Sequence, residues 1–255
     1  MPIGVCGAIV PWNFPLTLAA NKVAPAIAAG NTVVLKPAST TPLSTLACIE
    51  ALIEGGLPEG VVNVVLGTAT GEAMVDHPLI RKIALTGSTP TGQKVMARAA
   101  EGLKKITLER GGSDPCIVLD DADLEAVVEG IKIGGFFNAG QDCTAATRVI
   151  AGPKIFDRLL GGLVPAVESL KVGDPKSADA EMGPLVSEEQ AERVTGFGER
   201  ARTDGRAAGP GQLPQPRRAG GRGPRSTTNV GSHGSAPRPN TRSRKRPGDT
   251  TGQTR

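Results

Sequence analysis

Aromatic side chains are scarce, because the 255 residues include no tyrosine, one tryptophan and five phenylalanines. Long apolar runs are missing too. The best candidate is residues 16–29, and Asn21, Lys22 and Pro25 interrupt it. A membrane-spanning helix needs about 20 predominantly apolar residues, and a secretory signal needs a basic start before an apolar core. Because neither pattern occurs, the sequence predicts a cytoplasmic protein without a membrane partner.

Cysteine and histidine are few and widely spaced. The four cysteines are Cys6, Cys48, Cys116 and Cys143, and the two histidines are His77 and His233. Disulfide frameworks and zinc sites both use characteristic close spacings of such residues. We therefore expect four free thiols, no disulfide and no bound metal.

The formal net charge of +4 is unevenly distributed. Residues 201–255 contain eleven arginines and one lysine against two aspartates, ten glycines and seven prolines, and almost no large apolar side chain. Such a composition cannot bury enough surface to offset the entropy of ordering. An arginine-rich nucleic-acid arm is the alternative, but no aromatic residue is present there to stack on bases, so no nucleic-acid partner is expected. A second hypothesis is that the sequence from about residue 198 onward is read out of frame or has been replaced.

Apolar, β-branched stretches alternate with amphipathic ones before this segment. Strands are predicted at residues 3–10, 31–36, 61–65, 82–86, 104–109, 116–119 and 148–151, with helices between most of them. Short strands alternating with helices are typical of an α/β fold with a doubly wound parallel sheet. We predict a first domain at residues 1–112, a second unit at 113–198 and a disordered tail at 199–255.

Ligands of doubly wound sheets bind outside the carboxyl ends of the strands. Five residues lie at or just after the predicted strand ends, namely Asn13, Lys36, Gly67, Ser88 and Glu109. The sequence therefore predicts that they share one edge of the sheet.

Cys143 is a candidate nucleophile. It follows Asn-Ala-Gly-Gln-Asp, at what the sequence suggests is the start of a helix. Converging N–H groups at a helix N-terminus lower a cysteine pKa and favour the reactive thiolate. The alternative is a buried structural cysteine, a common state for free thiols.

Three motifs resemble the NAD(P)-dependent aldehyde dehydrogenase family over about residues 2–198. Asn-Ala-Gly-Gln-Asp-Cys-Thr-Ala resembles its nucleophile segment, closest in motif to aminoaldehyde and betaine aldehyde dehydrogenases. Thr-Leu-Glu-Arg-Gly-Gly at residues 107–112 resembles its general-base segment, 34 residues before Cys143 when counted from Glu109. Pro-Trp-Asn-Phe-Pro at residues 11–15 resembles the segment whose asparagine helps to bind the oxyanion.

The resemblance implies an oxidoreductase that converts a small-molecule aldehyde to a carboxylate. On this resemblance, Cys143 would form a thiohemiacetal and then a thioester, Asn13 and the Cys143 backbone N–H would stabilise the oxyanion, and Glu109 would activate water. Residues 1–112 would be a dinucleotide-binding domain that lacks the family's N-terminal part, and residues 113–198 part of the catalytic domain. Full-length relatives would be homo-oligomers.

The cofactor implied by the resemblance is NAD or NADP. No G-x-G-x-x-G fingerprint occurs, and Gly87 to Gly92 alone reads equally well as an ordinary capped helix. With the resemblance, Ser88 and the following helix become the pyrophosphate site and Lys36 a ribose and phosphate ligand. The remaining cofactor-binding candidates are Trp12, Ser39, Gly67, Gly71, Gly87 and Gly111.

Two residues depart from the family pattern. Ser39 stands where the family has a glutamate that holds the adenosine ribose, so NADP should be tolerated. Arg110 replaces the leucine after the general base and would place a charge beside the site. The family's Glu-x-Phe-Gly-Pro motif is absent as well. We therefore expect little activity from this chain alone, and the alternative function is a truncated, non-catalytic remnant that retains cofactor-binding motifs.

Overall fold

The computed structural model describes residues 1–203. This part of the chain contains seven strands and seven helices, which alternate as far as β5, and one short 3-10 helix at Phe137–Gly140. The strands are β1 (Val5–Ile9), β2 (Thr32–Lys36), β3 (Val62–Val64), β4 (Ile80–Gly87), β5 (Lys105–Arg110), β6 (Pro115–Val118) and β7 (Arg148–Ala151). The helices are α1 (Pro15–Ala28), α2 (Leu43–Glu54), α3 (Thr70–Asp76), α4 (Thr89–Glu101), α5 (Leu124–Phe136), α6 (Phe156–Glu168) and α7 (Glu188–Thr203).

Five strands form one parallel sheet in the order β3-β2-β1-β4-β5. The chain steps outward from β1 to β3, returns to β4 beside β1, and then steps outward to β5 on the other side. The predicted α/β fold with a doubly wound parallel sheet is therefore confirmed. The strand order reverses between β1 and β4, which is where such sheets place their ligand crevice.

The two faces of this sheet have separate apolar cores. On one face, α1 and α2 contribute Leu18, Val23 and Ile49 against Val33 and Leu35 of β2. On the other face, α3 and α4 pack against β4, with Met74, Val75, Val95 and Ala99 around Ile83 and Leu85. Helices cover both faces because β1 and β2 contribute apolar side chains to both cores, as expected for the inner strands of a parallel sheet.

A second, two-stranded parallel sheet begins immediately after the first one ends. β6 pairs with β7, and α5 and α6 pack on them through Val118, Ile131, Ile155 and Leu159. The change of sheet falls between Arg110 and Pro115, around the predicted domain boundary at 112. Ile117 and Ile150 of this small sheet remain 67% and 53% exposed.

Helix α7 continues to Thr203, five residues into the segment predicted to be a disordered tail. The rest of that prediction, from residue 204 onward, lies outside the described residues. Among residues 1–203, no helix is both long enough and apolar enough to cross a membrane.

Candidate active site

The parallel pairing brings the carboxyl ends of five strands to one edge. Lys36 ends β2, Gly87 and Ser88 lie at the end of β4, and Glu109 is the penultimate residue of β5. Asn13 lies in the turn between β1 and α1. The structure thus places the sequence-predicted residues of the first domain along one edge, as parallel strands require.

The Asn13 turn binds directly to the loop that carries Cys143. The Asn13 side chain is buried, and its Nδ2 donates to the Gln141 carbonyl oxygen at 3.1 Å. In return, Asn138 Nδ2 donates to the Asn13 carbonyl oxygen at 3.1 Å. The rings of Phe14 and Phe137 stack with their centroids 6.1 Å apart. Two motifs that are 128 residues apart in sequence therefore form one local structure.

The prediction that Cys143 begins a helix is wrong. The short 3-10 helix Phe137–Gly140 precedes it, Cys143 itself lies in a turn, and the next regular element is β7. Asn138 and Ala139 adopt positive φ angles, which interrupts the helical path before the cysteine. Burial raises the pKa of the half-buried Cys143 thiol, and the charges of Asp142 and Glu109 raise it further. The resting thiol is therefore protonated at neutral pH.

Glu109 is an ionised carboxylate with two partners on the same side of the sheet. Thr86 Oγ1 donates to Glu109 Oε2 at 2.6 Å, and Lys22 Nζ lies 3.3 Å from the same oxygen. The Thr86 hydrogen bond is the main cause that lowers the pKa of Glu109, and Lys22 lowers it further. The Glu109 side chain is 53% exposed, so water reaches the carboxylate.

Lys22 is the residue that the sequence analysis missed. It was interpreted there only as a break in an apolar run, yet its side chain is 3% exposed and its ammonium faces Glu109. The overlooked signal is its helical position, because Leu18, Ala19, Lys22 and Val23 form the buried stripe of α1. A lysine at a core position of an amphipathic helix needs a buried or half-buried partner.

A cavity of about 260 Å³ adjoins this ion pair. It lies between α1 and the strands β1, β4 and β5, with Lys22 and Glu109 in its wall. The other lining residues are Ile3, Cys6, Gly7, Ala8, Asn21, Pro25, Ala26, Ala29, Asn31, Val33, Lys82, Ala84 and Thr107.

Arg110 does not stand beside the site, contrary to the sequence expectation. Successive strand residues point to opposite faces, so Glu109 faces α1 whereas Arg110 faces α4. A Cβ built on Gly92 of α4 would lie 3.5 Å from Arg110 Cδ, which shows where the arginine stem packs. Arg110 is accordingly not among the charges that shift the pKa of Glu109.

Lys36 is the buried cation among the predicted cofactor ligands. Burial lowers its pKa, and its ammonium donates to the Pro37 carbonyl oxygen at 3.4 Å. A Cβ added to Gly71 would lie 3.5 Å from the lysine stem, so the glycine leaves room for it. An ammonium has three donors, and the remaining ones suit a hydroxyl-rich or anionic ligand.

The other cofactor candidates lie along the same edge of the sheet. Ser88 is the N-cap of α4, and its Oγ accepts from the Thr91 N–H, as predicted for a capped helix. Gly67 has a φ of 102°, which favours glycine. Ser39 is exposed in the turn after β2, and Gly111 follows β5. The Thr41 hydroxyl donates to the Trp12 carbonyl oxygen and so joins this turn to the Asn13 turn.

The four cysteines are free, as predicted. Cys6 lies in β1, Cys48 in α2 and Cys116 in β6, and burial raises the pKa of Cys6. Within residues 1–203, no group of three His, Cys, Asp or Glu side chains is arranged to hold a metal.

A family model for the aldehyde dehydrogenase family matches residues 1–224. Its match runs past residue 198, and the reading-frame hypothesis stays a prediction. A betaine aldehyde dehydrogenase from Sinorhizobium fredii is 46% identical over 206 residues, which are 80% of this chain and 42% of that protein. One from Cereibacter sphaeroides is 45% identical over the same shares.

Two solved structures are similar in fold and sequence. An NAD+ complex of an aldehyde dehydrogenase from Bacillus cereus has a TM-score of 0.78 and 45% identity, over 80% of this chain and 42% of that one. A betaine aldehyde dehydrogenase from Staphylococcus aureus in complex with NAD+ has a TM-score of 0.79 and 38% identity, over 84% and 43%. The chain thus spans less than half the length of these relatives.

Proposed function

Because the chain belongs to the aldehyde dehydrogenase family, we propose that it forms part of an enzyme that oxidises a small aldehyde to a carboxylate with NAD or NADP. The observation that carries the proposal is the hydrogen bonding between the Asn13 turn and the Cys143 loop, next to the strand end that holds Glu109. The charge of Glu109 is among the causes that raise the pKa of Cys143, which supports including Glu109 in the same proposed site.

Cys143 is the proposed nucleophile that attacks the aldehyde carbon. Its pKa is raised, so attack requires loss of the thiol proton. Glu109 has a lowered pKa and is ionised at neutral pH, and its charge is among the causes that raise the Cys143 pKa. Glu109 is the proposed acceptor of that proton, directly or through one water molecule, and the two pKa shifts make this transfer uphill in the resting site.

Glu109 is also the proposed base for hydrolysis of the acyl group held by Cys143. Its half-exposed carboxylate can bind water, while Thr86 and Lys22 fix its orientation through the same oxygen. The same partners make the carboxylate a weaker base, because they lower its pKa while they hold it in place. Orientation is what the ion pair contributes here.

Asn13 is the proposed oxyanion donor. Its amide nitrogen has two N–H groups, and one of them donates to the Gln141 carbonyl oxygen. The second can donate to an alkoxide that forms at Cys143, together with the Cys143 backbone N–H. Burial of Asn13 makes such a bond stronger than it would be in water.

The residues at the strand ends fit a nicotinamide dinucleotide. Lys36 would hold ribose hydroxyl or phosphate oxygens with its unused donors, and Ser88 with the first turn of α4 would hold the pyrophosphate. When bound, this cofactor supplies the two-electron acceptor of the oxidation. Ser39 carries no negative charge, so the turn after β2 does not repel a 2′-phosphate and both cofactors should bind.

The relatives named betaine aldehyde dehydrogenase suggest the substrate class. We infer that aldehydes carrying an amine or quaternary ammonium group are the first to test. A purified chain should be mixed with NAD or NADP and a panel of such aldehydes, and reduced cofactor followed by its absorbance. Cys143→Ser is the matched control, and equal rates in both proteins would refute the nucleophile assignment.

A non-catalytic remnant is the second candidate, because the chain spans about 42% of the relatives' length. On this alternative the cofactor binds but no aldehyde is oxidised. Trp12 is the single tryptophan and lies beside the site, so its fluorescence can report binding without turnover. Quenching by NAD or NADP without cofactor reduction would favour this candidate.

A further inference from the structure

The loop before Cys143 has an unusual backbone. Asn138, Ala139 and Gly140 are three consecutive residues with positive φ, at 53°, 57° and 70°. Glycine and asparagine tolerate this region, but alanine does not populate it without support from its surroundings. Some set of contacts must therefore hold the loop in this shape.

Gln141 supplies those contacts from the inside of the loop. The residue is 5% exposed, and its side-chain Nε2 donates to the Asn138 carbonyl oxygen at 3.0 Å. Its Oε1 accepts from the Val186 backbone N–H at 3.0 Å. One side chain thus closes the left-handed turn and ties it to a distant segment.

The backbone of Gln141 completes the arrangement. Its carbonyl oxygen accepts from Asn13 Nδ2 at 3.1 Å and from Asn138 Nδ2 at 3.2 Å. Gln141 therefore bonds to the Asn13 turn, to its own loop and to the segment around Val186. Two residues further on, the chain reaches Cys143.

The segment around Val186 also packs under the loop. Ala139 is 3% exposed and belongs to one buried cluster with Met182, Leu185 and Val194, the last of these on α7. The loop is consequently held from below by apolar contacts and from within by amide bonds. These contacts fix the position of the loop only while the buried amide groups of Gln141 and Asn138 stay hydrogen-bonded.

We propose that Gln141 is a positioning residue for Cys143, which bridges Asn138 and Val186 and so holds the left-handed turn that places the thiol. The inference rests on the proposed function in taking Cys143 as the nucleophile. Its test needs no turnover, so it can succeed or fail independently of the dehydrogenase assignment.

The test compares Gln141→Met and Gln141→Glu in the whole chain. Methionine keeps the length of the side chain and removes both bonds, whereas a glutamic acid, measured at a pH low enough to protonate it, keeps an oxygen for the Val186 N–H and an O–H donor for the Asn138 carbonyl oxygen. Hydrogen exchange of the Val186 amide should become about tenfold faster in Gln141→Met and stay near the original rate in Gln141→Glu. Gln93→Met, an exposed glutamine on α4, is the matched control and should change neither rate.

The second readout is iodoacetamide alkylation of Cys143 as a function of pH, with Cys48 as the internal reference. Because burial is the main cause that raises the Cys143 pKa, loosening the loop should lower the pH midpoint of its alkylation in Gln141→Met. Cys48 in α2 should be unchanged. Exchange rates in β2 and β4 establish that the five-stranded sheet is still folded.

An unchanged Val186 exchange rate and an unchanged Cys143 midpoint in Gln141→Met would overturn the proposal. So would equal acceleration at Val186 in both variants, since the bridge predicts a difference between them. If Gln141→Met does not fold, Gln141→Glu decides alone: retained protection at Val186 supports the bridge and lost protection refutes it.

Discussion

The Lys22–Glu109 ion pair makes a quantitative prediction about stability. Lys22 is almost fully buried and its ammonium lies 3.3 Å from Glu109 Oε2, whereas Glu109 is half exposed. Replacing Glu109 by glutamine leaves the buried ammonium without its counter-charge. Replacing Lys22 by methionine leaves a carboxylate that Thr86 and water still solvate. The two substitutions should therefore have unequal effects.

The exposure of Glu109 determines how much stability the substitution removes. Breaking a fully buried pair from one side costs about 3–5 kcal/mol, and hydrogen bonds to charged groups contribute about 1.5–3 kcal/mol. Because water reaches Glu109, we expect Glu109→Gln to lower the free energy of unfolding by about 2 kcal/mol, at the lower end of these ranges. Lys22→Met should be nearly neutral, since it removes a desolvated charge and retains the apolar stem.

A double-mutant cycle measured by urea unfolding isolates the pair. The double variant Lys22→Met/Glu109→Gln should regain most of the stability lost in Glu109→Gln, which corresponds to a coupling free energy of about 1–2 kcal/mol. The exposed pair Arg98–Glu72 is the control, and no measurable coupling is expected there because both side chains are solvated. Additive effects at Lys22 and Glu109 would refute the reasoning.

Three further predictions concern the same edge of the sheet. The depressed pKa of Glu109 stabilises the fold above the ordinary glutamate pKa, and this stability is lost as the pH falls through the lower folded-state value. Thr86→Val removes the main cause of the shift, so the free energy of unfolding of this variant, measured with urea between pH 6 and 3, should depend less on pH than that of the unchanged chain. Identical slopes in the two proteins would contradict this. Asp142→Asn removes a charge that raises the pKa of Cys143, so alkylation at neutral pH should accelerate by about two- to fivefold, and mass mapping that found an unchanged or slower rate would count against it. Ser39→Glu introduces repulsion toward a 2′-phosphate, so calorimetry should show NADP affinity falling about tenfold relative to NAD, and parallel changes in both affinities would disprove the site.

Local sequence patterns predicted the individual elements well. The strands lie within a residue or two of the predicted ranges, because β-branched apolar stretches bounded by glycine and proline carry their own signal. The order β3-β2-β1-β4-β5 was not predicted, since it depends on which strands pair across the sheet. Spacing in the sequence contains no such information.

The errors at the site have physical causes. The sequence Asn-Ala-Gly-Gln does not reveal that Ala139 takes a left-handed conformation, because this depends on the buried cluster with Met182 and Leu185. Arg110 was misplaced for a different reason. Strand alternation alone predicts that it faces away from Glu109, and that rule was available from the sequence.

The long separation between Asn13 and Gln141 has a consequence for how the chain folds. Most contacts of the five-stranded sheet join neighbouring βα units, and these can form while the rest of the chain is still unfolded. The bond from Asn13 to Gln141 must close a loop of 128 residues, and the entropy of that closure is recovered only when both ends are already structured. We expect the strand-end edge that carries Lys36 and Ser88 to form early and the loop that carries Cys143 to dock last. A kinetic intermediate should therefore exist in which NAD or NADP already quenches Trp12 while Cys143 still reacts like an exposed thiol.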